Sequence, residues 1–176
     1  MLKAPTIVSL CLLFCLCGCG QKPQAVTQQQ VEYTLSQPIA AEVVVKTPEL
    51  TVEGVLNRTG PEVYSFEVTA PQQLEGLRIT AEQQNCTLSY RGMEGEVSSD
   101  LLASPFAPVF FNHAVDALLR QQQPEFGNTP DGGAVVKGSV EGVSFRMEFD
   151  STGRPTLFAV PEYETEIVWK QSELSE

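Results

Sequence analysis

Residues 143–160 read VSFRMEFDSTGRPTLFAV, and this stretch decides the fold. Val143, Phe145, Met147 and Phe149 alternate with Ser144, Arg146 and Glu148. That period of two is the mark of a strand with one buried face. Asp150-Ser-Thr-Gly153 supplies turn residues, and 155–160 resumes as a second apolar run. The stretch therefore predicts an antiparallel hairpin. Just upstream, Glu141-Gly142 forms another two-residue turn signal, with Gly able to take a positive φ.

The same pattern extends in both directions. Upstream lie 40–46 (AAEVVVK) and 50–60 (LTVEGVLNRTG), in which Asn57-Arg-Thr-Gly60 reads as a turn. In 62–69 (EVYSFEVT), Tyr64, Phe66 and Val68 share one face. Leu77 and Ile79 share a face in 76–80, and so do Cys86, Leu88 and Tyr90 in 86–90. Downstream, Pro161-Glu162 breaks the chain before a last strand over 165–170 that carries Ile167 and Trp169 on one side. Segments 92–99 (GMEGEVSS) and 124–133 (PEFGNTPDGG) read as loops. About eight or nine strands with short connections predict an antiparallel meander.

One segment has a different period. In 104–123 (SPFAPVFFNHAVDALLRQQQ), Ser104 is placed to cap a helix and Pro105 suits its first position. Phe106, Val109, Phe110, His113, Ala114, Ala117 and Leu118 recur at spacings of three and four, which puts them on one face. Asp116 and Arg120 are four apart and are expected on the outer side. The helix, about 105–121, is so apolar that it needs cover, and the concave face of a curved sheet is the natural partner. The predicted class is thus mainly β (α+β): a strongly curved antiparallel sheet, or incomplete β-barrel, with one main helix over its concave face.

The N-terminus explains the cysteines. Four of the five lie in the first 19 residues, around LLFCLCGCGQ (12–21). Lys3 precedes an apolar run over 7–16, far short of the ~20 residues that span a bilayer. The run ends Leu16-Cys17-Gly18-Cys19, which resembles a bacterial lipobox. The resemblance implies a signal peptide over 1–18 and diacylation of Cys19 as the first mature residue. Cys17 stands where Ala or Ser is more usual in such signals. No His or carboxylate accompanies these cysteines, so the stretch does not read as a metal site. Residues 19–30 are polar and Gln-rich and read as a flexible tether, with the domain following over 31–176.

Composition narrows the function classes. The chain has 176 residues, 22 acidic against 11 basic, and a formal charge of -11. Nucleic-acid binding needs the opposite sign. His113 is the single histidine and reads as a helix-face side chain. Cys86 reads as a buried hydrophobe on its strand. Glu94 and Glu96, and the group Glu162, Glu164 and Glu166, read as solvated charge that protects sheet edges. Asn57-Arg-Thr59 and Asn85-Cys-Thr87 match a glycosylation pattern that carries little meaning in a bacterial lipoprotein. No His cluster, serine elbow, P-loop or dinucleotide turn is present. The chain is read as no enzyme, with no cofactor and no metal.

The order of lipobox, strands, apolar helix and further strands resembles the LolA/LolB-type lipoprotein carriers. The residues that carry the likeness are 50–80 (LTVEGVLNRTGPEVYSFEVTAPQQLEGLRIT), 86–93 (CTLSYRGM), 105–119 (PFAPVFFNHAVDALL) and 142–162 (GVSFRMEFDSTGRPTLFAVPE), within about 31–170. Small acidic LolA-like lipoproteins of Gram-positive bacteria fit length and charge best. The resemblance implies a half-barrel with helices over its mouth and a cavity for acyl chains. Candidate lining residues are Tyr64, Phe66, Leu77, Ile79 and Leu88 from the first half of the sheet. Phe106 and Phe110 come from the helix, and Phe145, Met147, Phe149 and Trp169 from the second half. Among spore-formers, relatives of this type act as partners of cell-wall enzymes. Two readings therefore stand side by side: a lipid-anchored protein that binds an acyl chain or lipoprotein in a cavity, or a non-catalytic envelope accessory protein with a filled core. A cavity would leave a void of about a few hundred Å3, and a core would be close-packed. Either way the location is extracytoplasmic on a membrane. If the envelope has an outer membrane, Gly20 in place of Asp after Cys19 favours it.

Overall fold

A computed structural model describes residues 25–82, 85–98, 107–120 and 124–170. They form one open sheet of 11 strands and two helices. In chain order the elements are α1 (Gln28–Ser36), β1 (Ile39–Lys46), β2 (Thr51–Gly60), β3 (Val63–Ala70), β4 (Arg78–Glu82), β5 (Asn85–Tyr90) and β6 (Met93–Ser98). Then come α2 (Ala107–Arg120), β7 (Glu125–Asn128), β8 (Ala134–Val140), β9 (Val143–Phe149), β10 (Pro155–Val160) and β11 (Thr165–Trp169). The strand order is β6-β5-β4-β3-β2-β1-β11-β10-β9-β8-β7, antiparallel throughout. Each chain half is a meander, and β1 with β11 joins the halves through Val43–Trp169 to Lys46–Glu166.

The count exceeds the expected eight or nine because β6 and β7 fall in the two stretches read as loops. Both are short, glycine-containing and largely exposed, with Val97 and Phe126 half-buried, so the turn residues around them outweigh their apolar signal. Pairing with a neighbour makes them strands. Arg91 and Gly92 hold φ of 50° and 82°, the left-handed pair that closes a two-residue hairpin from β5 into β6. Glu141 and Gly142 do the same for β8 and β9, as their sequence indicates. The segment 57–60 is likewise strand and not turn. A register shift between Arg58 and Gly60 bends the end of β2, and Glu62 at φ 56° makes the connection to β3.

Curvature follows from what α2 touches. Ten gaps of ~4.8 Å would make a flat sheet roughly 48 Å wide. Yet Val109 packs with Tyr64, Ile79 and Cys86 on β3, β4 and β5, while Phe110 meets Phe145 and Phe158 on β9 and β10. A helix about 10–12 Å across reaches both halves only if the sheet wraps around it. Bare backbone helps the interior close. A Cβ on Gly54 would lie 2.6 Å from Phe66 Cζ, and one on Gly138 would lie 2.6 Å from Phe145 Cζ. Both rings occupy space that only glycine leaves open.

The N-terminal side is more ordered than a tether. Thr27 and Gln30 form a reciprocal capping box, with Gln30 N donating to Thr27 Oγ1 at 3.3 Å and Thr27 N to Gln30 Oε1 at 2.8 Å. Val31 and Leu35, one turn apart, are buried. Val26 N donates to Gly132 O, and Asn128 Nδ2 donates to Val26 O at 2.7 Å. The packed domain therefore begins by Val26, inside the 19–30 stretch expected to be flexible. The β9–β10 turn meets it: Gly153, at φ 81°, faces Thr34 and Val26. Asp150 Oδ1 holds that turn by accepting from Thr152 N, Thr152 Oγ1 and Arg154 N at 2.6–3.0 Å.

Two outcomes test this packing. Gly54→Ala should cost about 1–3 kcal/mol through overpacking and lower the melting temperature by several degrees, whereas Gly60→Ala, with open space around its Cβ position, should not. Equal melting of the two variants would contradict the close approach. At Asp150, burial raises the pKa, but the hydrogen bonds of Thr152 and Arg154 and the Arg154 charge more than offset it, so the net direction is down. A lowered carboxylate stabilises the fold above the unfolded value of about 3.9 and loses that effect as pH falls through the folded value. The melting gap between wild type and Asp150→Ala should be full at pH 7 and shrink below about pH 4. A gap constant down to pH 2 would contradict it.

Candidate functional site

The concave face is where the sequence placed a cavity, and most of the side chains expected to line it are buried there. Phe66 and Met147 are at most 1% exposed, and Tyr64, Ile79, Phe110, Phe145 and Phe149 are also buried. Leu77, Leu88 and Trp169 are half-buried against the same clusters. Phe106 and Cys19 lie outside the described residues. The rings touch in series. Phe110 lies 6.5 Å from Phe145 and 6.2 Å from Phe158, and Phe111 lies 5.4 Å from Phe158 and 5.3 Å from Trp169, centroid to centroid. These are edge-on and tilted contacts of an aromatic core. The described lining candidates fall into two clusters: Phe66, Leu77, Phe110, Phe145, Met147, Phe149 and Trp169 pack with α1 and α2, and Tyr64, Ile79 and Leu88 with Val109 of α2. A second helix, α1, unexpected from the sequence, adds Val31 and Leu35 to the first of these clusters.

The helix also sits at a different angle than its spacing suggested. Phe111, Asn112, Val115 and Asp116 are buried together with Val109, Phe110, Ala114 and Leu118. His113 and Ala117, expected on the inner face, are half-exposed, and Arg120 is exposed. A helix apolar on nearly all sides gives no clear phase, since sheet and α1 cover it from different directions.

A polar network that the sequence reading missed lies within this core. Arg58, 1% exposed, points inward from β2 in phase with Val52, Gly54 and Leu56. Its Nη2 donates to Asp116 Oδ1 at 2.5 Å, Nε to Asn112 Oδ1 at 2.9 Å, and Nη1 to the Leu35 carbonyl at 3.1 Å. Asp116 Oδ2 accepts from Glu62 N at 3.0 Å. One guanidinium thus holds α2 by two side chains and α1 by its terminal carbonyl. Asp116 is not on the outer side as expected. Arg120 pairs instead with Glu62 at 3.1 Å, an exposed bridge. The inward phase of β2, extended one step past Leu56, is the signal that could have found Arg58. It was hidden because 57–60 looks like a turn.

No catalytic group emerges from the described residues. Cys86 is buried and unpaired, as its strand face indicated, and burial pushes its thiol up. Burial also raises the neighbouring Tyr64 phenol, with a further push from Cys86. Both shifts run against nucleophile activation. Among the described residues no group of three His, Cys, Asp or Glu could hold a metal ion. No described helix is long and apolar enough to cross a membrane. A cleft of about 530 Å3 lies beside β7 between Pro124, Lys137, Ser139, Ser144, Arg146 and Pro161, and of the expected lining residues it touches Phe145. Its cations are already matched: Lys137 with Glu125 at 2.7 Å, and Arg146 with Glu148.

Removing either partner of the buried pair should strand the other. Arg58→Met or Asp116→Leu alone should cost about 3–5 kcal/mol, which corresponds to a melting temperature lower by roughly 10 °C or more. The double variant should recover much of that loss. Additive losses in the double variant would contradict the coupling.

No family model matches the chain, and no curated protein matches it. It is similar to several solved structures. One is an uncharacterized conserved protein from Thermus thermophilus, at 14% identity and a TM-score of 0.48 over 84% of this chain and 86% of that one. A second is a LolA superfamily protein from Nitrosomonas europaea, at 12% identity and 0.43 over 84% and 93%. A third is a structure of the CwlD amidase from Clostridioides difficile in complex with the GerS lipoprotein, matched at 15% identity and 0.46 over 100% and 99%.

Proposed function

We propose that this chain is a non-catalytic interaction protein of the bacterial cell envelope, held at a membrane by acyl chains on Cys19. The packing of the concave face carries this reading. Phe66, Phe110, Phe145, Met147 and Phe149 are buried in one cluster with both helices, and Tyr64 and Ile79 in a second with Val109 of α2. An acyl chain would have to displace those rings, and each displaced ring forfeits burial worth roughly 1.5–3 kcal/mol. A carrier keeps space for its cargo, whereas this domain spends its apolar side chains on its own stability. The function is then left to the outside of the sheet and its edges. The lipobox-like Leu16-Cys17-Gly18-Cys19 supports the anchor. Two acyl chains hold where one binds only marginally. The partner class that the sequence resemblance suggests is an envelope protein, such as an enzyme acting on peptidoglycan.

The full chain, purified from the bacterial envelope in detergent, should show two mass features. The N-terminal peptide should begin at Cys19 and carry acyl mass. Solvent extraction should release no stoichiometric non-covalent lipid, and a fluorescent fatty acid should not bind saturably. Stoichiometric lipid in the extract would overturn the filled-core reading and restore the carrier.

A further inference from the structure

We propose that β6 is a docking edge for an extended basic segment of a partner protein, in which Lys or Arg alternates with apolar residues. This rests on the interaction reading above and names its surface. The sheet ends at β6, and among the described residues no strand pairs with its outer side. The closing Tyr90–Met93 pair of a two-residue hairpin is hydrogen-bonded, and pairs alternate from there. Met93, Gly95 and Val97 therefore turn their N–H and C=O groups to β5. Glu94 and Glu96 turn theirs outward, free to bond another strand.

The side chains define the occupant. Glu94 and Glu96 lie on the convex face opposite Ser89 and Thr87. Four other acids on that face are paired, Glu67 with Arg78, Glu125 with Lys137, Glu148 with Arg146, and Glu53 with Lys170, whereas Glu42, Glu82 and Glu166 share the face without an ion pair among the described residues. Among the described residues neither Glu94 nor Glu96 has an ion-pair partner. On the concave side of the same strand, Met93 is 68% exposed, and Tyr90 and Leu88 beside it are only half-buried. An added strand would place alternate residues against the carboxylates and the remainder against this apolar row. A second copy of this chain does not suit, because antiparallel pairing about Gly95 sets Glu94 opposite Glu96 of the copy. The other edge is less suited: β7 has four residues, and its Asn128 is tied to Val26.

The test uses the full chain in detergent and three labelled, end-blocked peptides: (Lys-Val)4, (Lys-Pro)4 and (Glu-Val)4. The first should bind saturably, and the second, equal in charge but unable to extend the ladder, should bind at least about 10-fold more weakly. The third should not bind. Glu94→Gln with Glu96→Gln should weaken (Lys-Val)4 by about 10-fold or more. Glu96→Pro should weaken it beyond Glu96→Gln, since it removes an outward N–H as well as the charge. Hydrogen exchange should slow at the amides of Glu94 and Glu96. No saturable binding, equal binding of the two basic peptides, protection at β7 in place of β6, or a concentration-dependent dimer through β6 would each overturn the proposal. None of these outcomes depends on whether the extract contains lipid, so loss of the edge and loss of the filled-core reading are distinguishable.

Discussion

The Arg58 guanidinium is the constraint around which the interior is organised. A cation 1% exposed inside an apolar core is tolerated only if each of its faces finds an acceptor. Three acceptors come from three places: Asn112 and Asp116 on one helix, and the Leu35 carbonyl at the end of the other. Hydrophobic contacts around them could slide, because apolar packing is non-directional. Hydrogen bonds to a planar fork cannot, so Arg58 fixes where both helices sit on the sheet. The Asp116 bond to Glu62 N extends the same constraint to the β2–β3 connection.

That fixed seating accounts for the burial of the side chains on the concave face. With both helices held down, rings from β9, β10 and β11 meet rings from α2 at contact distance. The glycines at 54 and 138 let Phe66 and Phe145 lie against bare backbone, which removes remaining space. A curved sheet of 11 strands still leaves two edges. One is short and stitched to the N-terminal segment, and the other carries unmatched acids and open backbone groups. Under the proposed function, recognition falls to edge and surface, while the interior serves stability.

Much of this was legible from residue patterns. The alternation of Val143, Phe145, Met147 and Phe149 and the Glu141-Gly142 turn appear as read, and so does the apolar helix. Cys86 is buried as its strand face indicates. The misses have physical causes. β6 and β7 are short edge strands with little burial, and their apolar signal is thin: Met93 and Val97 alternate with glutamates around Gly95 in β6, and β7 has Phe126 alone. The capping box Thr27-Gln-Gln-Gln30 was present in the sequence, but its Gln-rich surroundings resembled a linker. Arg58 and Asp116 look like surface residues because charge is normally outside. Their pairing across 58 positions is a tertiary fact that local pattern does not encode. The same limit applies to the concave residues: alternation shows which side chains point inward, and only their neighbours decide between lined void and packed core.

Native-state hydrogen exchange of α2 tests most directly whether the helix is core or lid. Regions that open only with global unfolding share the full unfolding free energy, whereas lids exchange through smaller openings. If α2 is pinned by Arg58 over a filled interior, the amides of Val109 to Leu118 should exchange with the same free energy as those at the centre of β2. Exchange of α2 through a separate opening several kcal/mol cheaper, with β2 still protected, would show a helix built to lift and would contradict the filled-core reading.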